Sequence, residues 1–185
     1  PGTLESMGLG YELLSARNPR LVMGSINAFG ADGPMSSWPG FDQIAQGYSG
    51  LMSLTGFVDG DPTRTGTAIG DLTSGMWLVT AVLAALLERE RTGRGQHVST
   101  SLLASLVGLL SVHGQRYLSL GDVPRRTGNA HSVIAPYGVF QTRDGSPILI
   151  SVQNDREWTV FCNKVLSRPE LATDPRFATA VARLG

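Results

Sequence analysis

The chain has 185 residues, enough for one domain or one and a half, and its 42% hydrophobic and 16% charged composition is that of a folded globular protein rather than a disordered one. Fifteen basic residues balance fifteen acidic ones, which gives no electrostatic ground for binding nucleic acid or an anionic membrane. The lone cysteine, Cys162, fits a reducing compartment, the longest apolar run (residues 76–87) is shorter than the about 20 residues a bilayer needs, and no signal segment opens the chain, so the expected location is the cytoplasm.

Leu4, Met7, Tyr11 and Leu14 fall at helical spacing and predict an amphipathic helix over residues 3–17, stopped by Asn18-Pro19. Residues 21–26 form a short, mostly apolar strand candidate, and a helix followed by a buried strand is an α/β signature. A Gly/Pro-rich loop, residues 27–40, follows; in open α/β sheets ligands gather beyond the carboxyl ends of strands, where such loops lie. Residues 41–53 read as a helix with Asp42 near its start. After a second Gly/Pro/Thr-rich stretch, Asp71 opens the clearest helix, residues 72–91, whose core is apolar nearly all round and is therefore expected to be buried. Gly93 stops it. Residues 96–99 predict a strand. Ser99, Thr100 or Ser101 caps a second apolar helix reaching to about Leu120. Beyond the linker at 121–128, two strands, 139–142 and 147–152, flank the turn Arg143-Asp144-Gly145-Ser146, a hairpin signal, and a helix follows over about 155–166. The expected division is an α/β part at 1–101, a helix and linker at 102–126, and a small α+β part at 127–185. The chain starts at Pro1 without an initiator Met and ends in what reads as a continuing helix, the pattern of a piece of a longer protein.

Asp71 is the leading candidate for chemistry. It follows a glycine-rich approach, residues 66–70, and precedes an apolar helix. Asp is a favoured N-cap, and the same position also lets a carboxylate meet a ligand closely and act as a nucleophile. Asp42 reads either as a first-turn helix acid or as a partner of Asp71 in one cleft. His131 sits in a loop, and His97 and His113 are weaker candidates. No His, Cys or acidic residues show metal-ligand spacing, and no Gly-x-Ser-x-Gly elbow, P-loop or dinucleotide fingerprint is present. Arg89, Arg91 and Arg94 read as a solvated helix end. The residues by themselves lead to an α/β domain with one conspicuous acid and name no reaction.

The ordered set Pro1-Gly-Thr-Leu-Glu-Ser-Met-Gly-Leu-Gly-Tyr-Glu12, Asn18-Pro-Arg-Leu-Val22, Phe29-Gly-Ala-Asp-Gly-Pro34, Gly40-Phe-Asp-Gln43, Gly50-Leu-Met-Ser-Leu-Thr-Gly56, Gly70-Asp71 through Gln96, Gly128-Asn-Ala-His131 and Asp174-Pro-Arg-Phe177 resembles the family III CoA-transferases, which include formyl-CoA and carnitine CoA-transferases and α-methylacyl-CoA racemase. The resemblance implies a Rossmann-like large domain, a small inserted domain and interlocked homodimers, with about 100 residues preceding Pro1. It also implies that Asp71 is the covalent nucleophile in CoA transfer from an acyl-CoA to a carboxylic acid, with no permanently bound cofactor and CoA thioester as substrate. The racemases carry a His where this chain has Phe41, and a phenyl ring moves no proton, so the resemblance points to a transferase. Racemase or epimerase activity and a catalytically silent, oligomerising chain are the alternatives. By resemblance Phe41 borders the acyl pocket, Asp42 and Gly70 flank the nucleophile, Leu102 touches CoA, and Asn129, His131 and Tyr137 lie where some transferases have a glycine-rich lid; His131 is implied as a contact for the acceptor carboxylate.

Overall fold

In the computed structural model, which describes residues 2–184, the chain opens with two short helices, α1 (Thr3–Ser6) and α2 (Tyr11–Arg17), ahead of strand β1 (Met23–Asn27). β1 pairs in parallel with β2 (His97–Ser101), Met23 opposite His97 and Asn27 opposite Ser101. A parallel pair requires a long crossover. Here it carries α3 (Asp42–Tyr48), α4 (Leu51–Leu54) and α5 (Ile69–Thr92). α5 lies against the sheet at Gly24, where an added Cβ would stand 3.2 Å from both Leu78 methyls and 3.3 Å from Val82. Ser101 ends β2 and caps α6 (Leu102–Leu109), its Oγ accepting the Ala104 N–H at 3.0 Å. α6 brings Leu102 and Leu106 against Ala45 of α3, and Ala28, Leu51 and Ile69 close around them. Ser101→Ala leaves the Ala104 amide without its partner and should cost about 1 kcal/mol, read as a lower midpoint in urea with an unchanged slope.

Three helices expected to be continuous are each broken in two. The first breaks at Gly8, with φ 71°, which leaves α1 and α2 separate. The second breaks at Gly50, with φ 84°, between α3 and α4. A left-handed residue cannot continue an α-helix, and glycine adopts that conformation without steric cost. The third turns at Ser111, φ 47°, which separates α6 from α7 (Ser111–Leu120).

The helix expected to be buried all round is not. α5 touches β1, β2, α3 and α6, and those contacts bury one face, with Ser74 and Ala85 fully inside. Leu72, Met76, Val79, Leu83 and Leu87 recur at intervals of three and four, and they are 55–75% exposed along the opposite face. By length and composition alone α5 is also long and apolar enough to cross a membrane.

The chain divides into two units. The first comprises Pro1–Gly56 and Asp61–Arg125, so α6 and α7 belong to it rather than to a separate linker. The second comprises Phe57–Gly60 and Arg126–Gly185. Arg126 secures the short excursion by donating to the carbonyls of Phe57, at 3.2 Å, and Gly60, at 2.6 Å. In the second unit β3 (Tyr137–Gln141) and β4 (Pro147–Ser151) form an antiparallel hairpin around the Asp-Gly turn. α8 (Asp155–Lys164) is capped by Asn154, which accepts the Glu157 amide at 2.9 Å. Val152, Trp158 and Cys162 form its core, with Phe161, Leu171 and Phe177 around them.

Candidate functional site

The first turn of α5 poses a capping problem. A helix starts with backbone N–H groups that have no partner inside it, and the residue at the N-cap of α5 is Ala68, which has no side-chain acceptor. The local backbone supplies part of the answer: Ile69 N donates to Thr67 O at 2.9 Å and Leu72 N to Ala68 O at 3.1 Å. The rest comes from α3. Oδ1 of Asp42 accepts from Gly70 N at 2.7 Å and lies 3.4 Å from Asp71 N. Asp42, the first residue of α3, thus acts as the cap of a different helix. Residue 70 has to be glycine for this approach, since a Cβ there would stand 2.9 Å from Asp42 Oδ1 and 3.0 Å from a Leu106 methyl.

Asp42 is itself held. It is 9% exposed, and its Oδ2 accepts from Nε2 of Gln46 at 2.6 Å, one helical turn on. Gln46 is fully buried. Its Oε1 accepts from Thr65 N at 2.9 Å, with the Thr65 hydroxyl 3.3 Å away. The chain Thr65–Gln46–Asp42–Gly70 therefore ties both ends of the loop that leads into α5. Each polar atom along it is used with the donor and acceptor sense its chemistry requires.

Asp71 stands at the third position of α5 and is not its cap, which corrects the expectation that an aspartate here would bond the first turn. Asp42 already occupies those amides. The Asp71 carboxylate is exposed, and among the described residues no hydrogen bond or ion pair reaches it. Its charge is favoured by the positive end of the helix, while its oxygens are left for a ligand. The first-turn N–H groups of α5 are engaged by protein acceptors and are not open donors.

Phe41 precedes Asp42 and is 84% exposed, its carbonyl accepting the Ala45 amide at 3.1 Å to start α3. The loop before it is fastened to α3 by three rings meeting edge to face, Phe29–Tyr48 at 5.5 Å, Trp38–Tyr48 at 6.1 Å and Phe29–Trp38 at 6.4 Å. Leu102 has its side chain in the core, so its backbone is what it can offer a ligand. The first unit thus gathers Phe41, Asp42, Gly70 and Asp71, while Leu102 lies in the core cluster with Ala45 and Leu106.

Asn129, His131 and Tyr137 belong to the second unit. There His131 N donates to Tyr137 O at 2.9 Å, the two rings stack at 5.0 Å, and His131 Nδ1 accepts from Val133 N at 3.2 Å. The Asn129 carbonyl lies where a Cβ on Gly138 would fall, at 2.6 Å. His97, in the first unit, stacks on Tyr11 and lies 2.9 Å from Ser25 Oγ. Arg91 and Arg20 pair with Glu88 and Glu90 at the solvated end of α5. Gln46 and Thr65 escape a reading of the sequence. The signal for Gln46 is its place four residues after Asp42; Thr65 has none.

The chain matches CoA-transferase family III across residues 1–185. It is 41% identical over 178 residues to an acetyl-CoA:oxalate CoA-transferase of Acetobacter aceti, covering 96% of this chain and 45% of that protein. It is 42% identical over 179 residues to a succinyl-CoA:glutarate CoA-transferase of Mus musculus, covering 97% and 41%. Among solved structures, a CaiB/BaiF family protein from Brucella suis superposes with a TM-score of 0.81 at 41% identity, over 99% of this chain and 48% of that one. A Mycobacterium tuberculosis protein superposes with a TM-score of 0.85 at 33% identity, over 100% and 47%. The chain spans about half the length of the curated relatives it matches.

Proposed function

Because the chain belongs to CoA-transferase family III, we propose that the protein moves CoA between an acyl-CoA and a carboxylic acid through a covalent intermediate on Asp71. The observation that carries this reading is the state of Asp71, an exposed carboxylate on the first turn of a 24-residue helix whose capping duty a second aspartate has taken over. A carboxylate is a weak nucleophile, and its usefulness rests on being held in place and left unengaged.

The steps follow from the chemistry. A carboxylate oxygen of Asp71 attacks the thioester carbonyl, the C–S bond breaks, and CoA leaves as thiolate with an acyl-aspartyl anhydride remaining. The thiolate then attacks the aspartyl carbonyl of that anhydride, releasing the first carboxylic acid as its anion and leaving an aspartyl-CoA thioester. An acceptor carboxylate repeats the two steps in reverse, so that Asp71 is regenerated and no net proton is consumed. Water must be kept from the anhydride. Phe41, beside Asp42, offers an apolar surface for the acyl chain. The acceptors named for the two curated relatives, oxalate and glutarate, support a short dicarboxylic acid as the acceptor class. A racemase would need a proton carrier on each face of the substrate α-carbon, and Phe41 is not one.

The test is to incubate the protein with a panel of acyl-CoAs, quench with hydroxylamine and map the mass change. A hydroxamate on Asp71 is the expected result, and the CoA that produces it identifies the donor. Solvent deuterium entering an α-carbon with no label on Asp71 would sink the transferase reading in favour of racemisation. Neither signal, from folded protein and a broad panel, would leave an oligomerising chain without catalysis.

A further inference from the structure

Asp42 can cap α5 only while one of its carboxylate oxygens is aimed at the Gly70 amide, and one side chain of its own helix holds the other oxygen. Gln46 donates to Asp42 Oδ2 at 2.6 Å, and with its other amide atom accepts from Thr65 N at 2.9 Å. It is completely buried, so water cannot stand in for either partner. We propose that Gln46 is a positioning residue for the transfer reaction: it locks Asp42 onto the first-turn amides of α5 and so fixes where Asp71 presents its carboxylate. The inference rests on the transferase reading and deepens it.

The physical reason is competition for acceptors. Gly70 N and Asp71 N need an acceptor, and two aspartates are near enough to supply one. If Asp42 swings away, the nearest acid on α5 itself is Asp71 at its third position, from which a side chain can fold back on the preceding backbone. Asp71 would then exchange a nucleophile's role for a cap's. Gln46 prevents this by giving Asp42 a fixed donor on one oxygen while the helix takes the other. Asp42 is the charged group facing Gln46, and Thr65 is the remaining partner across from it.

Gln46→Glu separates positioning from plain packing. The side chain keeps its shape. When protonated, its hydroxyl donates to Asp42 Oδ2 and its carbonyl accepts from Thr65 N, which reproduces the wild-type pattern. When ionised, it sets a second carboxylate against Asp42, and like charges at this distance raise the carboxyl pKa. The variant should therefore acylate Asp71 at low pH and lose about tenfold or more in the single-turnover rate as pH rises, across a range where the wild-type rate is flat. Half-saturation by acyl-CoA should stay within about twofold, because binding is not what changes. Gln46→Leu should lose the same rate at every pH.

Hydrogen exchange of the Gly70 amide gives a second readout that needs no activity. It should be protected in wild type at all pH, and in Gln46→Glu at low pH only. Gly70 protection that ignores the substitution overturns the inference, as does a change at Gly70 with wild-type acylation throughout. Failure of the transferase reading looks different, since the wild-type protein itself would then form no adduct on Asp71, and the positioning role would fall with it.

Discussion

Asp71→Asn should abolish CoA transfer, lowering kcat on the order of 10^4- to 10^6-fold, the scale seen when a covalent nucleophile is removed. The replacement has the same shape, but an amide offers no carboxylate to form an anhydride. The same change should scarcely touch stability. Asp42, not Asp71, satisfies the first turn of α5, so the variant forfeits only the attraction of a charge for the helix end, about 0.3–1 kcal/mol, or roughly 1–4 °C in Tm for a chain of this size. Acyl-CoA affinity should persist, since binding and attack use different atoms. Asp71→Glu, which pushes the carboxylate outward by one methylene, should lose about 100-fold and still form a trappable adduct. Turnover by Asp71→Asn above a few hundredths of wild type would remove Asp71 from the covalent role, and a large fall in Tm would show that it caps α5 after all.

Much of this arrangement is legible in the sequence because it is local. The hairpin over 137–151 follows from Asp144-Gly145, and the start of α6 from a serine followed by an apolar run. Asp71 can be singled out because glycines before it and an apolar helix after it are both visible in one short stretch. What cannot be read is which partner solves a local problem from a distance. Asp42 and Gly70 are 28 residues apart and Gln46 and Thr65 are 19 apart, so neither periodicity nor turn chemistry links them. Sequence alone accordingly points to Asp71, the acid at hand, as the N-cap, although the fold gives that role to an acid on another helix.

The apolar face of α5 teaches the complementary lesson. The run over residues 76–87 reports what a helix would bury if it had neighbours on every side. The sheet, α3 and α6 cover one side, and Met76, Val79, Leu83 and Leu87 remain outside. Composition measures the appetite of a helix for burial; only the rest of the fold says how much is met. The broken helices fit the same view. Gly8 and Gly50 are visible as glycines, but a glycine within a helical pattern is tolerated in many helices, and only the backbone shows that here they turn left-handed.

The second large effect is expected at Asp42. Asp42→Ala leaves Gly70 N and Gln46 Nε2 facing each other across an apolar gap. Each lost hydrogen bond to a buried charged group is worth about 1.5–3 kcal/mol, so the variant should lose about 3 kcal/mol or more, a drop of roughly 10 °C in Tm, together with most of its acylation rate. Asp42→Asn is the sharper probe. Asparagine can accept from Gly70 N with its oxygen, but its amide then points at the amide of Gln46, donor against donor. Flipping Gln46 relieves that clash and creates the same one at Thr65 N. One mismatch survives either way, at about 1–3 kcal/mol. Adding Gln46→Glu should repair it, because an ionised glutamate accepts from both the introduced asparagine amide and Thr65 N, and the network is whole again with its negative charge moved onto the neighbouring side chain. The double variant should therefore be more stable than Asp42→Asn alone, although Gln46→Glu by itself is harmful above its pKa. Non-additivity of this sign is the signature of side chains acting as one network, and a double-mutant cycle in urea midpoints measures it. Simple addition of the two losses would mean that Asp42 and Gln46 stabilise the fold independently, and that the orientation of Asp71 is set by something else.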